Sequence, residues 1–157
     1  ILLSGNREFA SCLLIWVPGV STADFIQKLN LPKNSQGRLV VDKYLRIRDN
    51  CFCAGDAALF SLNNNALRMA VQFALTQGEQ VARNIIASIK RTRLKAYRPV
   101  DLGYVIPLAN NRSCGRVLGL NISGPLATFL HFSMCIFRTP GLKNKFGIIN
   151  HLIKGGS

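Results

Sequence analysis

The side chains best suited to chemistry are five cysteines, two histidines and one aspartate that directly follows a glycine. Cys51 and Cys53 are two apart, so on a strand they project to the same side, the arrangement of a redox or metal pair. A Cys/His metal site needs further ligands at matching spacing. Cys12, Cys114 and Cys135 are scattered, and His131 and His151 stand alone. The pair therefore reads as small hydrophobes in a buried strand. The odd cysteine count without framework spacing argues against a secreted disulfide scaffold, and no nucleophile-elbow pattern supports a Ser–His–Asp triad. Asp56 is different. It follows an apolar run and Gly55 and precedes Ala57-Ala58. In open α/β sheets ligands sit beyond the carboxyl ends of strands, where glycine permits close approach and a carboxylate accepts hydrogen bonds from ligand hydroxyls. An Asx turn is the simpler alternative.

The elements that must position Asp56 are legible as apolar runs and breakers. Residues 13–17 read as a buried strand ended by Pro18-Gly19, and Ser21 or Thr22 offers an N-cap for a helix to about residue 29. Short strands are expected over 38–41, 44–47 and 51–54, the last stopping at Gly55-Asp56. A long helix follows over about 66–89, with Leu67, Val71, Ala74, Val81, Ile85 and Ile89 at helical spacing. Ala66, Ala70, Ala74, Gly78 and Ala82 recur every four residues along it. Such a stripe serves tight packing on a sheet, or close approach of a flat ligand near the helix N-terminus. Strands are expected over 101–108 and 116–122, joined by a turn through Asn110–Gly115. The best boundary is the basic stretch near 90–98, which divides the chain into 1–92 and 93–157.

The chain has 157 residues, 48% hydrophobic, with 20 Lys plus Arg against 7 Asp plus Glu and a net charge of +13. That excludes a disordered or acidic chain and predicts an anionic partner. The charge is uneven. Residues 83–98 hold Arg83, Lys90, Arg91, Arg93, Lys95 and Arg98 with no acid, and residues 99–157 hold Asp101 alone. A solvated basic face, an anionic membrane surface and nucleic acid are the options. No finger spacing, RNP-like motif or helix-turn-helix supports nucleic acid. Residues 117–137 carry no charge for 21 positions, but Gly124-Pro125 breaks the run and leaves 126–137, too short to span a bilayer. Leu126, Phe129, Leu130 and Phe137 mark this helix. Phe146, Ile149 and Ile153 mark an amphipathic one over 142–153, whose other side carries Lys143 and Lys154. Apolar and basic faces together describe helices lying in a membrane interface. An ordinary core helix or a homodimer contact is the alternative. The chain opens on Ile1 with no signal-peptide pattern, and is expected to be the C-terminal part of something longer.

Several segments then agree with one family. Leu14-Ile15-Trp16-Val17-Pro18-Gly19-Val20, Gly37-Arg38-Leu39-Val40-Val41-Asp42, Phe52-Cys53-Ala54-Gly55-Asp56-Ala57-Ala58, Gln77-Gly78 with Ala82-Arg83-Asn84-Ile85, and Gly141-Leu142-Lys143-Asn144-Lys145-Phe146 follow one another in the family's order. On these residues the chain resembles the C-terminal part of flavin-dependent pyridine-nucleotide oxidoreductases, and most closely type II NADH dehydrogenases. The resemblance implies an α/β fold: the end of a Rossmann-like FAD-binding domain, then a small α+β module of a β-hairpin and two amphipathic helices.

The same resemblance implies site residues. Gly55, Asp56 and Ala57 form the second flavin fingerprint, with Asp56 at the ribityl chain of FAD. Met69 and Ala70 lie near the flavin pyrimidine. Gln72 falls where the family places a glutamine near the quinone, although the family's Pro-Pro-Thr-Ala-Gln-like stretch reads Leu67-Arg68-Met69-Ala70-Val71-Gln72 here. The glycine-rich nucleotide motifs, and with them most NAD(P)H-binding residues, would lie upstream of Ile1. The implied activity passes electrons from NAD(P)H through FAD to a quinone-type acceptor, in a peripheral protein on the cytoplasmic face of the membrane. A flavin oxidoreductase with a soluble acceptor and a non-enzymatic membrane-binding remnant are the alternatives.

Overall fold

The computed structural model describes residues 2–3, 7–8, 13, 15–63, 65–108 and 112–153, and the side chains of all these except 2–3, 7–8 and 151–153. It is a mixed α/β structure of short strands and, among the described residues, four α-helices. The chain divides into two compact units, residues 1–99 and 100–157.

In the first unit, β1 (Leu2–Leu3) pairs antiparallel with β2 (Arg7–Glu8). The buried strand expected over 13–17 does not form among the described residues there. Leu13, Ile15, Trp16 and Val17 are all exposed, and residue 14 lies outside the described residues. An apolar run makes burial favourable, but a strand also needs an edge to pair with. The expected helix over 21–29 shrinks to α1 (Asp24–Gln27). Its N-cap is Ala23, because the hydroxyl of Thr22 instead donates to the carbonyl of Gly37 at 3.0 Å.

β3 (Leu39–Val40) is followed by β4 (Arg46–Arg48) and β5 (Cys51–Phe52), which pair antiparallel with one irregularity. After a 3-10 turn at Gly55–Ala57, β6 (Ala58–Leu59) returns parallel to β3. β7 (Ser61–Leu62) and β8 (Asn65–Ala66) form a hairpin. That hairpin explains why α2 (Val71–Ile89) starts later than residue 66: Ala66 is paired with Ser61 instead.

The core of this unit is Leu45, Phe60 and Tyr97, with Val41, Leu67 and Val81 packed against it. The Phe60 and Tyr97 rings meet edge to face at 5.2 Å. α2 turns Phe73, Gln77 and Asn84 inward. The Asn84 amide donates to the carbonyls of Tyr44 and Lys95, both at 3.0 Å, and accepts from the Lys95 N–H at 3.0 Å. With Tyr97 buried, this returns part of the basic stretch to the unit that precedes it.

In the second unit, β9 (Gly103–Pro107), β10 (Ser113–Val117) and β11 (Leu120–Ser123) make a three-stranded antiparallel meander. Here the expected single strand over 116–122 is two strands. Leu118 (φ 49°) and Gly119 (φ 86°) form a two-residue turn between them, with both residues in the left-handed region that such hairpins require. Cys114 and Gly115, expected in a turn, lie within β10. α3 (Gly124–Arg138) is the helix expected over 126–137; it begins two residues earlier, on the Gly-Pro pair that breaks the apolar run, because proline near the first helical position gives up only an N–H that has no helical partner. It packs on the meander through buried Ala127 and through Thr128, whose hydroxyl lies 3.1 Å from that of buried Ser113. α4 (Leu142–Ile153) follows and touches α3.

Candidate functional site

Asp56 is presented by a short, tightly held turn. The Cys53 N–H donates to the Leu45 carbonyl at 3.0 Å, which anchors the entry to the core. Gly55 then adopts φ +70°, and its N–H donates to the Gln77 Oε1 at 2.8 Å. Gln77 is only 1% exposed, so a buried amide on α2 fixes the glycine in place. A Cβ at Gly55 would lie 3.4 Å from the Cβ of Ala74, so the turn rests on the first turns of α2. Asp56 is exposed, Ala57 is half-buried, and Ala58 is fully buried in β6.

The second part of the site is the entry to α2. Leu67, Arg68, Met69 and Ala70 are partly buried. The Arg68 guanidinium lies over the Phe73 ring at 5.2 Å. Ala70 is the N-cap in an extended conformation and supplies no side-chain cap. No acidic residue occupies the first turn. The positive end of the helix dipole is therefore uncompensated by its own side chains there. Gln72 is partly buried within that first turn. Of the small-residue stripe, Ala74 meets Gly55, while Gly78 and Ala82 are exposed.

Arg38, just before β3, joins these two parts. It is 4% exposed. One terminal nitrogen donates to the Ala58 carbonyl at 2.6 Å and the other to the Leu67 carbonyl at 2.9 Å. Burial pushes its pKa down, while the charge of Asp56 opposes that shift. Arg38 and Gln77 both stand within the family-like segments, yet residue type and spacing assign neither a role. The available signals are a cation beside an apolar strand and a polar residue on the inward face of α2.

The cysteine pair does not behave as its spacing suggests. β5 ends at Phe52, so the strand alternation does not reach Cys53; Cys51 is exposed and Cys53 half-buried. Burial pushes the Cys53 thiol up against a backbone hydrogen bond and the charge of Arg38. That favours the unreactive protonated form. His131, expected to be isolated, has its Nε2 3.7 Å from the Cys135 Sγ, one helical turn away on α3. Among the described residues no group of three or more His, Cys, Asp or Glu is placed to hold a metal ion.

The apolar residues expected at a membrane divide by exposure. Leu126, Phe129, Phe137 and Phe146 are exposed, Leu130 and Ile149 are partly buried, and the Ile153 side chain lies outside the described residues. Among the described residues no helix is long and apolar enough to cross a membrane.

No protein-family model matches the chain. It is similar to type II NADH:quinone oxidoreductases from Staphylococcus aureus (30% identical over 74% of this chain and 30% of the relative) and Haemophilus influenzae (28% over 85% and 32%). It is also similar to a demethylphylloquinone reductase from Synechocystis, 28% identical over 82% of this chain and 32% of the relative. The chain thus spans about a third of the length of the curated relatives it matches.

Proposed function

We propose that this chain, similar to part of the type II NADH:quinone oxidoreductases, forms one wall of a flavin site in an NAD(P)H:quinone oxidoreductase that works at a membrane surface. The observation that carries the reading is the seating of the Asp56 turn on the first two turns of α2, made by the 2.8 Å bond from the Gly55 N–H to Gln77 and by the contact of Gly55 with Ala74. It sets a glycine with positive φ, next to an exposed carboxylate, against the N-terminal half of a helix whose first turn carries no side-chain cap. That chemistry fits FAD. Asp56 accepts hydrogen bonds from ribityl hydroxyls, and Gly55 and Ala57 admit the cofactor close to the backbone. Met69 and Ala70 face it at the helix entry. FAD held there would supply the redox chemistry between NAD(P)H and the acceptor.

The chain's own part is to bind and orient. The positive end of α2 favours negative charge beside Met69 and Ala70. Gln72, in the same first turn, is the candidate contact for the quinone. α3 and α4 offer Leu126, Phe129, Phe137 and Phe146 with Arg138, Lys143 and Lys145 nearby in sequence, a composition suited to an anionic membrane on its cytoplasmic face. Asp56→Ala in the protein as its source makes it is expected to weaken FAD retention about tenfold to a hundredfold, the loss of hydrogen bonds to a charged acceptor. Flavin absorbance per polypeptide after gel filtration measures this, and unchanged flavin content refutes the role.

A further inference from the structure

We propose that Arg38 is the positioning residue of this site: its buried guanidinium holds the segment carrying Gly55–Ala57 and the segment carrying Met69 and Ala70 at a set separation. This rests on the flavin reading above. The carbonyl of Ala58 directly follows the Asp56 turn, and the carbonyl of Leu67 lies two residues before Met69. Arg38 reaches both with separate terminal nitrogens, at 2.6 and 2.9 Å. Its Nε is buried without a hydrogen-bond partner.

A buried cation with an unsatisfied N–H is costly, and packing alone would be served as well by an apolar side chain of similar volume. What only the planar guanidinium supplies is a rigid fork across two carbonyls. The charge of Asp56 acts on the guanidinium and opposes the effect of its burial. Because the turn is also fixed from α2 through Gln77, Arg38 closes a loop of contacts: turn to α2 by Gln77, turn to the approach of α2 by Arg38. Lysine keeps the charge but reaches from one nitrogen, so Arg38→Lys separates fork from charge.

Hydrogen–deuterium exchange on wild type, Arg38→Lys and Arg38→Gln tests the fork without flavin. The Gly55 and Leu67 amides, bonded to Gln77 and to the Phe60 carbonyl, are expected to exchange at least about tenfold faster in both variants. The Tyr44 and Arg46 amides, held by Asp42, serve as the control and stay unchanged. Equal acceleration everywhere, or none at Gly55 and Leu67, overturns the proposal. Should neither variant fold, nitrogen NMR of the unmodified protein decides. Two distinct, solvent-protected terminal-nitrogen signals for Arg38 support the fork, and one averaged signal overturns it. FAD retention is then compared in the native protein and is expected to fall about tenfold in Arg38→Lys. If faster exchange leaves FAD retention unchanged, Arg38 does not position the site and the proposal fails. If the unmodified protein holds no FAD, the flavin reading fails while the exchange result on the fork stands.

Discussion

At the scale of single residues, the informative feature is where polar side chains are buried. Arg38, Gln77 and Asn84 are each buried, and each makes hydrogen bonds to backbone groups of a different segment. Buried polar groups of this kind fix segments relative to one another, because leaving one unpaired is costly. Asp42 does the same closer to the surface. Its carboxylate accepts from the Tyr44 N–H at 2.8 Å, the Arg46 N–H at 2.9 Å and the Arg46 Nε at 2.9 Å. Burial pushes that carboxyl up, but the bonds from Arg46 and Tyr44 and the charge of Arg46 outweigh it and hold the pKa below the ordinary aspartate range. A depressed folded-state pKa stabilises the fold above the unfolded value, near 3.9, and that contribution disappears as pH falls through the folded value. Asp42→Asn is therefore expected to cost about 1 kcal/mol near neutral pH, a figure kept small by partial exposure. The gap to wild type should close as pH drops below about 4. Urea unfolding at a series of pH values measures it, and a gap independent of pH rejects the assignment.

At the scale of elements, propensity and periodicity locate most of the chain's segments but not their pairings. The periodicity over 66–89 finds α2, yet the hairpin from Ser61 to Ala66 moves its start to Val71. Gly124-Pro125 ends the apolar run as expected, and the helix expected over 126–137 is α3, which takes in the pair itself because proline is tolerated at the first helical positions. The turn at Leu118 and Gly119 is hidden inside an apolar run. Gly119 has φ +86°, and a Cβ there would meet nothing within 4 Å, so Gly119→Ala carries a backbone cost without a clash. It is expected to lower the thermal midpoint by about 5 °C, with Gly119→Asn nearer to wild type because asparagine tolerates this conformation. Calorimetry of the three proteins tests the order, and an asparagine variant less stable than the alanine variant contradicts it.

At the scale of the whole molecule, charge and apolar exposure meet in residues 100–157, where Leu126, Phe129, Phe137, Leu142 and Phe146 are exposed and Asp101 is the only acid. Flotation with vesicles containing an anionic lipid is expected to recover the protein. Part of the binding should survive salt near 1 M, where the screening length is about 3 Å and apolar insertion alone remains. Complete loss at high salt would assign the binding to charge, and no flotation at any salt would leave these residues to a protein contact such as a homodimer. Residue type and spacing were enough to give the net charge of +13, the order of segments that resembles type II NADH dehydrogenases, the Gly55-Asp56 turn and the location of the three longer helices. These are local properties, set by residue type and spacing along the chain. Long-range packing alone leaves the run at 15–17 exposed, ties residues 95–97 to the first unit through Asn84 and Tyr97, and lets Gln77 hold Gly55 while Arg38 bridges Ala58 and Leu67. Each depends on which distant groups meet, because a buried polar side chain takes whatever partner the fold brings within hydrogen-bond reach.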